Sequence, residues 1–150
     1  MRRGEHGSAL IEVAALAPLL FIPVLYLALT LHRAELARLA ASTGARDAAR
    51  AYATAPTTDD ARSWSHAAIR TAFDDQGLPG ARLDITYARE PGARCDQSSV
   101  TAPELVPGTA VLVCVRAVVA LPFADRVFAS GLPVSAHAVA VVDDHRADPP

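Results

Sequence analysis

The hydrophobic pattern of the chain is dominated by one long apolar run close to its N-terminus. The segment Val13–Leu31 contains 19 consecutive uncharged residues, and extending it back to Ser8 adds a single charge, Glu12. About 20 apolar residues cross a bilayer as an α-helix, whereas the apolar region of a secretory signal is only about 7–15 residues long. A buried core helix is the alternative, but the length and low charge favour a transmembrane helix over residues 8–31.

The pattern predicts that this helix continues beyond the apolar run as a stalk over residues 32–56. The segment is rich in Ala, Leu and Arg, which are good helix formers, and Pro56 ends it. Small residues recur at steps of three and four and therefore share one helix face. This face could pack against the chain's own sheet or contact neighbouring subunits. We favour packing against the sheet. The small residues are Ala34, Ala37, Ala41, Gly44, Ala48, Ala51 and Ala55.

A second helix is predicted at the start of the remaining segment, residues 57–144. The run Thr57–Asp60 offers a capping side chain and acidic residues for its first turn, and Gly77 and Pro79 end it after about Gln76. Its predicted apolar side consists of Trp64, Ala68, Ile69, Ala72 and Phe73.

Three strands are predicted after the second helix. Residues 81–90 alternate apolar and polar side chains, 109–121 are Val-rich like a central strand, and 134–142 form a third strand. The Pro- and Gly-containing segment 91–108 is typical of a loop, and 121–133 is predicted to form a short helical turn. The fold class is therefore α+β, with a long N-terminal transmembrane and stalk helix, a second helix and a small antiparallel sheet of about three strands.

Charge at the ends of the chain predicts topology and disorder. Arg2 and Arg3 precede the apolar run, and the positive-inside rule therefore places the N-terminus in the cytoplasm and the C-terminal domain outside it. The polar tail 145–150 ends in two prolines and is predicted to be disordered.

Glu12 is the residue that fits a plain membrane anchor least. An acidic side chain inside a membrane helix costs a few kcal/mol and is usually paired or functional. Because Glu12 lies only a few positions into the apolar stretch, contact with lipid headgroups is the simpler alternative.

The residues around Glu12 resemble those of a known family. A short basic leader ending in Gly7, then the small residue Ser8, then Glu12 as the fifth residue after that glycine, resembles a type IV prepilin leader. The sequence from GSALIEVAAL through residue 53 resembles the TadE/TadG-like pseudopilins of tight-adherence (Flp) pilus systems. The resemblance implies a pilin-like outline, a leader over 1–7 and cleavage between Gly7 and Ser8 by a prepilin peptidase. It also implies that the helix assembles with other pilin or pseudopilin subunits.

Elementary electrostatics agrees with an assembly role for Glu12. Cleavage would leave a free amino group on Ser8, and bundled chains would bring that cation close to Glu12 of a neighbour. Two opposite charges can pair in a membrane where one alone is costly, and such a pair fixes the axial register of adjacent helices.

Cys95 and Cys114 are the two cysteines of the chain, and both lie in the predicted extracytoplasmic domain. Such a compartment permits disulfides, and a bond across this spacing would stabilise the fold by roughly 3 kcal/mol in the chain-entropy model. The alternative is a buried Cys114 beside an unpaired Cys95, and we favour the bond.

Composition and motifs give no support for an enzyme. The net charge of −2 and the pI of about 6.2 argue against nucleic-acid binding. The five histidines, His137 among them, lack zinc-site spacing, and no nucleophile elbow or P-loop is present. We therefore predict no catalytic residues, cofactor, metal or small-molecule substrate.

The sequence predicts a minor pseudopilin-like structural component of a pilus or related secretion assembly, located in the cell membrane. The alternative is an uncleaved single-pass protein whose outer domain binds a partner or the envelope.

Overall fold

The computed structural model describes residues 6–89, 94–121 and 131–143, with side chains at position 14 and from position 16 onward. The chain divides into two compact units, Met1–Arg33 and Ala34–Pro150, which are described separately below. Residues 1–5 of the predicted leader, 122–130 of the predicted helical turn and the predicted disordered tail lie outside the described residues.

The order of elements confirms the predicted α+β class. Two helices, α1 (His6–Thr54) and α2 (Thr58–Asp75), are followed by three strands, β1 (Arg82–Arg89), β2 (Ala110–Val119) and β3 (Leu132–Val141). In the described part of the chain, every predicted element boundary lies within two residues of the observed one. Pro, Gly and side-chain alternation mark these boundaries clearly in the sequence.

The three strands form one antiparallel sheet with β2 in the centre. Thr86 of β1 lies opposite Cys114 of β2, which lies opposite His137 of β3. Because side chains alternate along a strand, this row faces one side of the sheet, the outer face. The next row faces the core formed with the helices. Tyr87 and Val113 are buried in it, and Ala138 of β3 is partly buried.

The small residues of α1 pack inside the Ala34–Pro150 unit. Ala37, Ala41 and Ala48 have no exposed surface. A Cβ atom built on Gly44 would lie 3.2 Å from Ala72 Cβ and 3.3 Å from Ile69 Cα, so the backbones of α1 and α2 approach closely there. The favoured intramolecular interpretation is therefore confirmed, but at Gly44 the packing partner is α2, whereas we expected the sheet.

Both ends of α2 use the residues that the sequence indicated. The Thr57 hydroxyl accepts a hydrogen bond from the Asp60 backbone N–H at 3.1 Å, which caps the first turn. At the other end Gly77 adopts a positive φ of 69°, and its N–H donates to the Asp74 carbonyl. The N–H of Leu78 donates to the Phe73 carbonyl, which completes a glycine-terminated helix end.

The predicted apolar side of α2 is wrong at Trp64, which is 45% exposed. Ser65 occupies the buried position instead, and its Oγ lies 2.7 Å from the Ala61 carbonyl and 3.0 Å from the Ala48 carbonyl of α1. The close approach of the two helices leaves room for a small side chain, and the hydroxyl is satisfied by backbone oxygens.

Substitution of Gly44 by Val is expected to lower the free energy of unfolding by about 2 kcal/mol, because the added methyl groups would overlap the backbone of Ile69. Urea denaturation in detergent measures the change. Gly80→Val is the matched control, since a Cβ at Gly80 meets nothing within 4 Å. Equal stability of the two variants would contradict close packing of α1 on α2.

Candidate assembly sites

The predicted processing and assembly residues lie in the first turns of α1. The backbone is helical from His6, so Gly7, Ser8 and Glu12 all belong to the helix, and the side chains of Ser8 and Glu12 lie outside the described part. Residues four apart share a face of an α-helix. Positions 8 and 12 therefore lie on one face of α1.

The apolar segment that follows is long enough and apolar enough to cross a membrane. The stretch of α1 from Leu16 onward contains a window with a mean hydropathy of 1.6, none of which is buried within the protein. Leu19 and Leu20 are 71% and 72% exposed, respectively. A core helix of a water-soluble domain would bury such side chains, whereas this stretch is exposed, which makes it a candidate membrane span.

Thr30 is a polar side chain near the end of the apolar segment. Its hydroxyl donates a hydrogen bond to the Tyr26 carbonyl one turn earlier, at 2.8 Å. A hydroxyl bonded to its own helix leaves no unsatisfied donor in an apolar surrounding. Thr30 is therefore compatible with a membrane helix.

The disulfide predicted from the sequence is present in the structure. Cys95 and Cys114 are bonded, and their Cα atoms are 5.7 Å apart. Cys114 is buried in the centre of β2, whereas Cys95 is half-buried in the segment that follows β1. The bond ties this segment to the outer face of the central strand.

Hydrogen bonds reinforce the attachment of the same segment, residues 94–99, to the sheet. Tyr87 and Ser99 exchange backbone hydrogen bonds of 2.7 and 2.8 Å, so the segment pairs with the edge of β1. The Ser98 hydroxyl lies 2.6 Å from the Thr86 hydroxyl, and the Arg116 guanidinium donates to the Cys95 carbonyl at 3.2 Å. We refer to residues 94–99 with the disulfide as the disulfide clamp.

Two buried tyrosines join α1 to the sheet. The ring centroids of Tyr52 and Tyr87 are 5.3 Å apart, and the Tyr52 hydroxyl donates to the Pro103 carbonyl. The Tyr87 hydroxyl is buried and makes no hydrogen bond to the residues that the structure describes. Sequence reasoning placed Tyr87 inward by alternation but missed Tyr52, which lies beside the small-residue face.

Burial changes the acidity of both tyrosines. It raises the pKa of Tyr52 to about 12, and the neighbouring Tyr87 adds to the effect. Burial also raises the pKa of Tyr87 above its usual value. The fold therefore favours the neutral phenols.

The unit Ala34–Pro150 is accordingly expected to lose stability as the pH rises from about 10 towards 12. The unfolded chain releases the phenol protons near pH 10 while the folded chain retains them, so unfolding is favoured in that window. Absorbance at 295 nm of a Tyr26→Phe variant, compared with its melting temperature at each pH, measures both events. Ionisation of both remaining tyrosines near pH 10 with no change in melting would contradict their burial.

His66 lies on the exposed side of α2 between two arginines. Partial burial, together with Arg62 and Arg70 one turn away on either side, lowers the pKa of His66 below its usual value. The lowered pKa favours the neutral imidazole of His66 beside the two guanidinium groups.

No cluster of three or more His, Cys, Asp or Glu side chains that could hold a metal occurs among the described residues. His137 is exposed on the outer face of β3, opposite the buried Cys114.

Comparison with known proteins gave no match to a family model, a curated protein or a solved structure.

Proposed function

We propose that the chain is a minor pseudopilin-like structural component of a tight-adherence (Flp) pilus or a related secretion assembly. The observation that carries the proposal is the exposed apolar stretch of α1, which follows a segment that resembles a type IV prepilin leader. In this role the chain has no catalytic residue and binds no cofactor. Its partners are the membrane, a prepilin peptidase and other pilin or pseudopilin subunits.

The apolar side chains of α1 would serve first as a membrane anchor and then as a contact surface for neighbouring helices. Packing between apolar helices can replace lipid around the exposed leucines at little cost, because both surroundings are apolar. The specificity of the contact must then come from polar groups. Glu12 is the acidic residue placed to provide it, by pairing with the Ser8 amino group of a neighbour.

The proposed topology places the N-terminus in the cytoplasm and the unit Ala34–Pro150 outside it. Arg2 and Arg3 favour this orientation under the positive-inside rule. The Cys95–Cys114 disulfide supports it independently, since disulfides persist in oxidising compartments and are rare in the cytosol.

One observation favours the alternative, an uncleaved single-pass protein whose outer domain binds a partner. The helical backbone of α1 includes His6, Gly7 and Ser8, so the proposed scissile bond lies within it. Cleavage there would require this part of the helix to open.

Replacement of Gly7 by Leu separates the two proposals. The variant is expected to retain its leader, because a bulky side chain next to the scissile bond would exclude it from a peptidase pocket that fits glycine. Intact-mass spectrometry of membrane-extracted protein gives the result, with the parent starting at Ser8. Gly4→Leu is the matched control, since it changes a leader glycine away from the bond. A parent chain that still contains Arg2 and Arg3 would instead establish the uncleaved form.

A further inference from the structure

Two prolines deprive carbonyl groups of α1 of their usual partners. Pro18 and Pro23 lie inside the helix, and the backbone remains helical around both. A proline has no N–H, so the carbonyl four residues earlier receives no helical hydrogen bond. The acceptors affected are the carbonyls of Ala14 and Leu19. An unpaired carbonyl costs free energy in an apolar surrounding, because no water is present to replace the missing donor.

The apolar run offers few side chains that can donate to these carbonyls. Between Val13 and Leu31, only Tyr26 and Thr30 carry a hydroxyl or N–H group in the side chain. The Thr30 hydroxyl already donates to the Tyr26 carbonyl. The Tyr26 hydroxyl makes no hydrogen bond to a residue that the structure describes. Tyr26 is therefore the donor of this run that is available to a neighbouring helix.

The hydroxyl of Tyr26 does not satisfy the Leu19 carbonyl of its own helix. The two residues are seven positions apart, which is nearly two helical turns, and the structure shows no hydrogen bond between them. Leu19 is 71% exposed, and Ile22 and Val24 nearby are 64% and 57% exposed. This part of the helix surface is therefore open to the side chain of another helix.

The axial register of the Ser8–Glu12 pair brings donor and acceptor together, a step that rests on the proposed function. Placing position 8 of one copy beside position 12 of another displaces the two helices by about four residues, or about 6 Å. Tyr26 of the copy that contributes Glu12 is then level with position 22 of its neighbour, about 4.5 Å beyond Leu19. A helical carbonyl points towards the C-terminus and a tyrosine side chain leans towards the N-terminus, so the two groups approach each other between these levels.

Both contacts also lie on one side of each helix. Positions 12 and 26 are 14 residues apart, close to four turns, and positions 8 and 19 are 11 residues apart, close to three turns. One copy therefore presents the first pair of positions along a line, and its neighbour presents the second pair. The Ala14 carbonyl lies about 7.5 Å below the Leu19 carbonyl along the axis, so the same register leaves it out of reach of Tyr26.

We propose that the Tyr26 hydroxyl donates a hydrogen bond to the Leu19 carbonyl of an adjacent copy, in the same contact that pairs Ser8 with Glu12. The occupant of this helix surface is a second copy of the chain, because the donor, the acceptor and the register that joins them all come from one sequence. Pro23 creates an acceptor in the apolar run that a neighbour in this register satisfies. The bond favours associated helices over single helices in lipid.

Photo-crosslinking of the full chain in its native membrane tests this proposal. Two forms that carry epitope tags of different size are produced together, and a photoreactive residue replaces Ile22, which is exposed and lies one turn from Tyr26. The expected product contains both tags. Tyr26→Phe removes the hydroxyl and keeps the ring, so it is expected to lower the yield of this product about fivefold.

Two proline variants show whether the hydroxyl acts on the Leu19 carbonyl. Pro23→Ala supplies that carbonyl with an N–H in its own helix, so it is expected to lower the yield about as much as Tyr26→Phe does. In the Pro23→Ala background Tyr26→Phe is expected to have no further effect, which is the coupling that a direct contact requires. Pro18→Ala is the matched control, since it restores the donor of a different carbonyl and is expected to leave the fivefold effect of Tyr26→Phe intact.

The proposal is overturned if Tyr26→Phe crosslinks like the parent, if it acts equally in the parent and Pro23→Ala backgrounds, or if no product with both tags forms. Its failure is distinguishable from failure of the proposed function. A chain that begins at Ser8 in filaments, with an unchanged yield for Tyr26→Phe, refutes the hydrogen bond alone. A chain that is absent from filaments and retains its leader refutes the proposed function.

Discussion

Replacement of Glu12 by Gln is expected to leave the chain in the membrane at the parent's level and to lower its incorporation into pili at least about tenfold. Removing one member of a desolvated ion pair costs on the order of 3 kcal/mol, which exceeds the free energy needed for that factor. Gln retains the size and hydrogen-bonding capacity of Glu, so the variant isolates the charge. Membrane insertion depends on the 19 uncharged residues that follow, which the substitution does not touch.

The control for this experiment is Glu5→Gln. Glu5 lies in the leader and would be removed by processing, so the same chemical change there should have no effect on assembly. Quantitative immunoblots of membranes and of sheared pili measure the two pools. Normal incorporation of the Glu12→Gln variant would refute the ion pair, and loss of the Glu12→Ala variant from the membrane would show that Glu12 serves anchoring.

Removal of the disulfide is expected to destabilise the unit Ala34–Pro150 strongly. The bond joins residues separated by 19 positions, and the chain-entropy model gives about 3 kcal/mol for a loop of this size. A Cys95→Ala, Cys114→Ala double variant avoids placing a new hydroxyl at the buried Cys114 position. We expect its free energy of unfolding to fall by about 3 kcal/mol, and the Ser99 amide, which bonds to the Tyr87 carbonyl, to exchange faster.

Ser98→Ala is the matched control for the disulfide clamp. It removes the contact between the Ser98 and Thr86 hydroxyls and leaves the covalent bond in place, so a loss of only about 1 kcal/mol is expected. Urea unfolding and hydrogen exchange of both variants provide the comparison. A double variant as stable as the parent, or two free thiols in the unreduced parent, would contradict the role of the clamp.

The sequence predicts the elements of this fold well because their signals are local. Alternation from Leu83 to Tyr87 defines β1, and Thr57 and Gly77 mark the ends of α2. The disulfide between Cys95 and Cys114 follows from the number of cysteines and their predicted compartment.

Contacts between distant segments could not be predicted in the same way. The close approach of α1 and α2 at Gly44 selects Ser65 for the buried position and leaves Trp64 exposed, whereas hydrophobicity alone favours the reverse. The pairing of Ser99 with Tyr87 lies in a segment whose prolines and glycines indicate a loop.

The sequence says more about the candidate assembly site than the structure does. Gly7, Ser8 and Glu12 were selected for their spacing in a leader, and the structure adds that all three are helical, with Ser8 and Glu12 on one face. Pairing of their charged groups is a property of several chains together, so it remains a prediction for experiment.

The most direct test of the central proposal is to identify the N-terminus of the chain in purified surface filaments. The filaments are sheared from cells, separated from membranes and analysed by N-terminal sequencing. The account predicts that the chain is present and begins at Ser8, with Glu12 as its fifth residue. Absence of the chain from filaments, together with an intact leader on the membrane-bound protein, would contradict it.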